Sequence, residues 1–358
     1  MKWLARSVLF GILAGGAPAA LRGQAIHGRV VDAARRPLIG ALLELRDSTG
    51  HSAGIVLTSP SGVFVLTAPR PGNYQFRVAA IGFQPHPFAP VHVPAEGVTL
   101  PDLVLQTMSM RLPDLVAVGR GKFCGKSGIS DDVFSRILES AHTALQIIEA
   151  TINQRAVGFQ VARIHTRTIF GTYNNYEIAD TALVPMAVWP VQSINPDTLR
   201  VVGFGRLLEP GNENSREYYG PDARVLFSDW FLDGHCFTVD KPKKHRPADT
   251  LHVRFKPAHK TRLIDAAGDL VLDAHNLALL EFSFTLTNLP RWMPDEAAGG
   301  EMQFSRLSSG LWVTKSWAIW APIGGIAANR GISVAGEVET YGWVARVYAG
   351  NDTIQVMP

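Results

Sequence analysis

Alternation of apolar and polar residues, with a period of two, runs through most of this chain. It is clearest in Leu251–Lys256 and in Leu280–Thr287, where every second side chain is apolar. A period of two is the spacing of a β-strand with one buried and one wet face. Because such runs recur between short turns from about Val157 to the end, residues 157–358 are predicted to form a large antiparallel β domain with one buried face, a half-barrel being one arrangement of it.

The N-terminal folded unit is predicted to be smaller than this C-terminal β domain. Short alternating runs between Ile26 and Gln106 are separated by two turn clusters, Ser59–Gly62 and Pro69–Asn73. Proline and glycine at these positions favour tight turns. Several short strands spaced in this way predict a Greek-key β-sandwich over residues 26–107.

Five pieces of this unit occur in the order found in the carboxypeptidase regulatory-like domain, which the segment resembles. The resemblance implies a transthyretin-like sandwich, a fold grouped with carbohydrate-binding-like folds. One departure is that Thr58 is followed by Ser59 and Pro60, where the family usually places Thr-Asp. The matching pieces are Ile26-x-Gly28-x-Val30-x-Asp32, Pro37-Leu38-x-Gly40-Ala41, Gly62-x-Phe64, Pro71-Gly72-x-Tyr74 and Ile81-Gly82-Phe83.

Domains of this family occur beside metallocarboxypeptidases and as N-terminal extensions of TonB-dependent outer-membrane receptors. Residues Leu112–Gly119 are similar to the strand that follows the domain in those receptors. The rest of the chain is far shorter than the roughly 22 strands that the membrane part of such a receptor needs. The resemblance therefore suggests, as one hypothesis, an accessory of outer-membrane uptake.

The N-terminus predicts export. Lys2 and Arg6 precede the apolar stretch Val8–Gly16, and small residues follow up to Ala25, which is the pattern of a signal peptide over residues 1–25. The apolar stretch is shorter than the roughly 20 residues of a membrane span, so no transmembrane span is expected in the mature chain. Removing Lys2, Arg6 and Arg22 takes the formal charge from +3 to about zero, which argues against a nucleic-acid partner. The expected location is the periplasm or the outer membrane.

Two cysteines are present, Cys124 and Cys236. In an exported chain a pair is predicted to be bridged, and closing a loop of roughly 110 residues is worth roughly 4 to 5 kcal/mol in the chain-entropy model. A metal site is the alternative, because His235 adjoins Cys236. The chain lacks the paired spacings of zinc sites, so the disulfide is preferred and no metal or cofactor is predicted.

One strong helix is predicted, in a linker of a strand and a helix over residues 108–156. Ser130 suits an N-cap, and Asp131 and Asp132 suit the positive end of the helix dipole. Apolar residues at helical spacing follow on one face. They are Val133, Phe134, Ile137, Leu138, Ala141, Leu145 and Ile148.

The sequence motifs assign no catalytic residue. No histidine has a glutamate three residues on, as a zinc carboxypeptidase requires. Gly50–Gly54 spells a nucleophile elbow but lies between strands, and Gly125–Ser127 lacks the spacing of a phosphate-binding loop. The basic run Lys241–Arg246 is interpreted as a solvated loop. Dispersed carboxylates leave a glycosidase open, without singling out a pair. They include Asp229, Asp233, Asp273 and Glu281.

Tryptophans are concentrated in the last third of the chain. Simple alternation puts Trp312 and Trp320 on one face of a sheet and Trp317 on the other. Core packing is the default for such residues, but an exposed subset would provide a stacking platform for a sugar ring or an apolar ligand. Trp312, Trp317 and Trp320 are therefore the candidate ligand-stacking residues.

The function predicted from these features is that of a non-enzymatic, exported cell-envelope protein. A carboxypeptidase regulatory-like sandwich would be joined to a β-rich domain that binds a ligand or partner, such as a carbohydrate, a lipidic ligand or an outer-membrane protein. Two alternatives remain open at this stage: the uptake accessory, and a hydrolase with an unrecognised site in the C-terminal domain.

Overall fold

A computed structural model shows a mainly β chain, as predicted. The signal peptide other than Gln24 and Ala25, the receptor-like segment 112–119, the helix-capping residues Ser130 and Asp131, and the motifs at 125–127 and 241–246 lie outside the described residues. The structure describes residues 24–108, 122–124, 132–153, 157–169, 176–184, 191, 193–212, 216–240, 249–326, 332–349 and 352–356.

The N-terminal unit is a β-sandwich of two four-stranded sheets. One sheet has the order β4-β1-β7, with β8 also paired to β1, and the other has the order β3-β2-β5-β6. Their inner faces share a core in which Ile26, Val30 and Leu45 are fully buried and the rings of Phe64 and Phe76 lie 6.1 Å apart. The strands are β1 Gln24–Asp32, β2 Leu42–Arg46, β3 Ser52–Leu57, β4 Val63–Ala68, β5 Gly72–Ala79, β6 His86–Val93, β7 Val98–Thr99 and β8 Leu103–Leu105.

Two of the sequence pieces close turns in this sandwich. Gly62 has φ +75°, and a Cβ there would meet the carbonyl oxygen of Val30 at 2.5 Å, so the turn before Phe64 needs glycine. Thr58 is buried, donates from Oγ1 to the Leu38 carbonyl at 2.5 Å and accepts from the Ala41 amide at 2.9 Å. The threonine, which follows β3, thus ties the end of that strand to the second piece.

The rest of the chain is built on one eleven-stranded antiparallel sheet. Its strand order is β11-β10-β20-β19-β18-β17-β16-β15-β14-β9, with β21 also paired to β20. The strands are β9 Lys122–Cys124, β10 Val157–Ile169, β11 Tyr176–Val184, β14 His235–Asp240, β15 Thr250–Pro257, β16 Asp265–Asp273, β17 Leu279–Thr287, β18 Gly299–Arg306, β19 Trp312–Ile326, β20 Ile332–Ala349 and β21 Asp352–Val356.

Helix α1, Asp132–Asn153, is the helix that the apolar spacing predicts. It packs against one face of this sheet. Phe134, Ile137, Ala141, Leu145 and Ile148 repeat at helical spacing and are all fully buried. No helix in the described part of the chain is long and apolar enough to cross a membrane.

The segment between β11 and β14 adds to the cover of the same face. It contributes Phe204, Val225 and Phe231, all fully buried in the core shared with α1. Side chains of Asn195, Asp222 and Ser228 cap its three short helices. Its elements are α2 Pro196–Val202, β12 Gly205–Leu207, β13 Arg216–Tyr218, α3 Ala223–Leu226 and α4 Asp229–Gly234.

The sandwich docks on the opposite side of α1. Ile147 of the helix is 1% exposed and packs with Leu42 and Leu57 of the sandwich. Arg77 of β5 is buried and donates to Glu139 at 2.7 Å. Helix α1 therefore contacts both the sandwich and the large sheet.

Candidate functional site

The two faces of the large sheet differ because alternate residues of each strand point to opposite sides. On β17, Phe282 and Phe284 belong to the core under α1, whereas Ser283 and Thr285 point away from it. We call the side covered by helices the inner face and the other side the open face. The inner face is filled by apolar side chains, and the groove described next lies on the open face.

The open face carries a groove that crosses the strands from β14 to β19. Its volume is about 540 Å³. Strand register sets one of its rows, in which Ala267 lies opposite Thr285, Thr285 opposite Gly299, and Gly299 opposite Trp320. The small side chains of Ala267 and Thr285, and Gly299 without one, leave space above the sheet in the middle of this row. Lining side chains include Thr238, Arg254, Lys256, Asp269, Thr285 and Trp320.

Trp320 stands at one end of the groove and is held by two contacts. Its Nε1 donates to the carbonyl oxygen of Glu296 at 3.0 Å. Its ring covers Gly299, where an added Cβ would meet ring atom Cζ2 at 2.8 Å. The indole is thus fixed before a ligand arrives, which lowers the entropy cost of binding.

The other two predicted stacking residues lie elsewhere. Gln303 pairs with Ser316 and Phe304 with Thr314, so Lys315 is an extra residue, a β-bulge that shifts the alternation by one. Trp312 and Trp317 consequently both contact the inner core, and Trp312 does not share a face with Trp320. Trp317 is only 8% exposed, and its ring covers Gly342. Of the three tryptophans, the structure places Trp320 at the groove.

Two aromatic residues that were not predicted as stacking residues extend the platform. Tyr341 lies opposite Ala318, two residues from Trp320, and is 42% exposed. Its ring centroid is 5.6 Å from that of Trp343, which follows on the same face. Trp320, Tyr341 and Trp343 are defined here as the aromatic end of the open face. Only the register between β19 and β20 brings them together.

The other end of the groove carries charged side chains. Arg254 Nη1 lies 3.0 Å from an oxygen of Asp240, and His252 Nδ1 lies 2.7 Å from Asp269. His252 is buried, whereas Lys256 is exposed at the groove. Arg254 and Lys256 are defined as the basic end of the groove.

The predicted disulfide is present and borders the basic end. Cys124 of β9 is bonded to Cys236 of β14, and the two residues face each other in the strand register. Cys236 also lines the groove and lies opposite Lys256. The bridge ties the short strand β9 to the edge of the sheet beside the candidate site.

The carboxylates that leave a glycosidase open in the sequence, Asp229, Asp233, Asp273 and Glu281, are not among the residues that line the groove. Asp273 accepts the amides of His275 and Asn276 in the turn after β16. Asp229 is in the first turn of α4, where a carboxylate suits the helix dipole. Ser52 of the elbow-like sequence begins strand β3 rather than a helix. Within the described ranges, no cluster of three His, Cys, Asp or Glu could hold a metal ion.

A second cavity, of about 390 Å³, lies where the sandwich meets α1. Burial raises the pKa of Glu149 to about 7, although the carboxylate accepts the Ala223 amide at 3.0 Å. Burial also lowers the pKa of His142 to about 4, and this ring stacks on Phe227 at 4.5 Å. Both groups are half-buried and line this cavity together with Leu42 and Ile55 of the sandwich. Their ionisation is therefore coupled to the stability of this junction.

The fold is thus mainly β, with a small sandwich that packs through α1 against a larger sheet, and this sheet has one open face that carries the groove. Residues 25–106 match the family model of the carboxypeptidase regulatory-like domain. This match confirms the identity predicted for the N-terminal domain and spans less than half of the chain. The C-terminal domain is not recognised as a member of a known family.

Comparison with solved structures gives only distant likenesses, at identities and TM-scores too low to carry an argument about function. Catechol 1,2-dioxygenase from Pseudomonas arvilla C-1 is 16% identical with a TM-score of 0.19, and the alignment covers 28% of this chain and 56% of that one. A streptococcal ancillary pilin is 14% identical with a TM-score of 0.22, and the alignment covers 45% of this chain and 47% of the pilin. A DUF1329 family protein from Desulfovibrio piger is 6% identical with a TM-score of 0.26, and the alignment covers 60% of this chain and 93% of that protein. This chain thus covers about half the length of the first two proteins. No curated protein matches the sequence.

Proposed function

We propose that this chain is a non-enzymatic, exported cell-envelope protein that binds a carbohydrate chain across the open face of its large sheet. The observation that carries the proposal is the groove of about 540 Å³ with the fixed ring of Trp320 at one end. Aromatic faces with a few polar groups beside them are suited to ligands that have both apolar and hydroxyl surfaces. The disulfide and the predicted signal peptide support export.

A carbohydrate fits this domain better than a lipidic ligand does. A lipid-binding half-barrel would need an apolar cavity on the inner face, but α1 and the segment from α2 to α4 occupy that face. The groove on the open face instead combines apolar surface with hydroxyl and charged side chains, including Thr238, Thr285 and Lys256. These threonine hydroxyls and the lysine ammonium can form hydrogen bonds with the hydroxyl groups of a sugar.

The sandwich would act as a docked module that fixes the orientation of the binding domain. Its contacts with α1 combine apolar packing at Ile147 with the ion pair between Arg77 and Glu139. The same helix packs on the inner face of the sheet. Movement of the sandwich relative to the groove would therefore disturb the packing around Ile147 and the ion pair of Arg77, which favours a rigid arrangement.

The experiment is a binding screen of the purified mature protein against immobilised neutral and acidic oligosaccharides of six or more rings. A sugar that binds is then titrated against wild type and Trp320→Ala. Losing a stacked ring costs about 1.4 kcal/mol, so we expect affinity to fall about tenfold. Trp312→Ala, on the inner side of the same strand, is the matched control, with folding of both variants checked by circular dichroism.

Three outcomes of this screen would contradict the proposal. Binding to no oligosaccharide would refute the function, and unchanged affinity in a folded Trp320→Ala variant would refute the site. Release of new reducing ends from a bound sugar would instead support the hydrolase alternative.

A further inference from the structure

The two ends of the open face differ in the charge that they offer to a ligand, which bears on the class of carbohydrate and on its direction. At the basic end Arg254 is balanced by Asp240, which leaves the exposed Lys256, whereas the aromatic end carries Glu339. We propose that the groove binds a glycan bearing a carboxylate, with the acidic group at Lys256 and neutral rings on Trp320. This inference rests on the function proposed above and adds the charge and polarity of the ligand.

Lys256 is the cation available to a ligand at the basic end. It is exposed, lines the groove and has no carboxylate partner within the part of the chain that the structure describes. Arg254 is already paired with Asp240 at 3.0 Å, and Asp269 is engaged by His252 at 2.7 Å. A ligand carboxylate at Lys256 would therefore complete a pair without breaking an existing one.

The aromatic end carries glutamates instead. Glu339 lies directly opposite Trp320 in the register, and Glu301 lies opposite Ser283 and Ala318; both are exposed. Burial raises the pKa of Glu337, and the nearby Glu339 raises it further. A second anion placed over Trp320 would meet this negative potential, so neutral rings suit that end.

The separation of the two ends sets a minimum length for the ligand. Lys256 is on β15 and Trp320 is on β19, with β16, β17 and β18 between them. Neighbouring strands are spaced by about 4.8 Å, so four steps span roughly 19 Å. A ligand that engages both ends is therefore an extended oligosaccharide that crosses the strands, rather than a single sugar.

The test uses matched sugars that differ only in one carboxylate. Hexasaccharides of β-1,4-linked glucose and of β-1,4-linked N-acetylglucosamine are each prepared with the terminal ring opened, either as the aldonic acid or as the alditol. We expect wild type to bind the acid about threefold to fivefold more tightly at low salt, because one exposed ion pair contributes about 1 kcal/mol or less. The preference should shrink as salt rises.

Variants then locate the carboxylate. Lys256→Ala should bind acid and alditol equally, Lys256→Arg should keep the preference, and Lys260→Ala, an exposed lysine that is not among the groove-lining residues, is the control. Equal binding of acid and alditol by wild type would overturn this inference while leaving the proposed function standing. A preference that survives in Lys256→Ala would overturn the assignment to Lys256. Failure of every sugar here and in the wider screen would refute the function itself.

Discussion

The inner and open faces of the large sheet are made by the same strands, yet one packs in the hydrophobic core and the other carries the groove. On β17 the inner residues Phe282, Phe284 and Leu286 are almost completely buried, while Ser283 and Thr285 reach the groove. The inner face is covered by α1 and by α2 to α4, so its side chains contribute to folding. The open face is free of that constraint, and its residues can serve a ligand with little effect on stability.

The largest difference between the faces should appear in a pair of adjacent substitutions on β17. Phe282→Ala removes a fully buried ring and should lower the free energy of unfolding by about 3 to 5 kcal/mol. Ser283→Ala, one residue away on the open face, should change it by less than about 0.5 kcal/mol. Urea denaturation followed by tryptophan fluorescence measures both. Similar losses in the two variants would show that the faces are not divided in this way.

The disulfide is an exception to the comparison of the two faces. It lies beside the groove on the open face, yet it is expected to stabilise the fold. Replacing both Cys124 and Cys236 by serine frees β9 and restores the unfolded-state entropy of a loop with a sequence separation of 112. We expect a loss of about 4 kcal/mol. Chemical reduction of wild type provides the matched control and should give the same loss. Equal stability of the reduced and oxidised proteins would contradict the assignment.

A pH-dependent term should come from the side of α1 that faces the sandwich. The Glu149 carboxyl has a pKa of about 7 in the folded protein, against its ordinary value of 4.5. Between these two values the unfolded chain is ionised while the folded protein keeps its proton, so stability falls as pH rises from about 4.5 to about 7. The total loss is roughly 3 kcal/mol at most.

Glu149→Gln removes this dependence and is the variant to compare with wild type. The difference in free energy of unfolding between the two proteins should change by roughly 3 kcal/mol from pH 4.5 to pH 8, with wild type losing stability. His142, whose pKa is lowered to about 4, titrates in both proteins and cancels in the difference. Parallel pH profiles would show that Glu149 ionises freely in the folded state.

Local pattern was sufficient for several features of the fold. The period-two runs predicted the strands β15 and β17, and the helical spacing from Val133 to Ile148 predicted α1. Turn glycines such as Gly62 carried the likeness of the first domain. These features succeed because strand alternation, helical periodicity and positive φ depend on residues close together in the chain.

Local sequence pattern does not predict which residues meet at the groove. Trp312 was placed on the wrong side because one bulge, at Lys315, reverses the alternation within β19. No local pattern marks Tyr341, since only its pairing opposite Ala318 brings it beside Trp320. Lys256 shows no motif, and its position at the groove follows from strands β14 to β19 lying side by side.

The sequence by itself determined the class of secondary structure, the regulatory-like sandwich and the pairing of its two cysteines. Only the tertiary structure decided which face of the large sheet is covered and which side chains meet on the open one. The reason is that alternation tells which residues of a strand share a side, whereas the register between strands and the packing of α1 decide what those sides face.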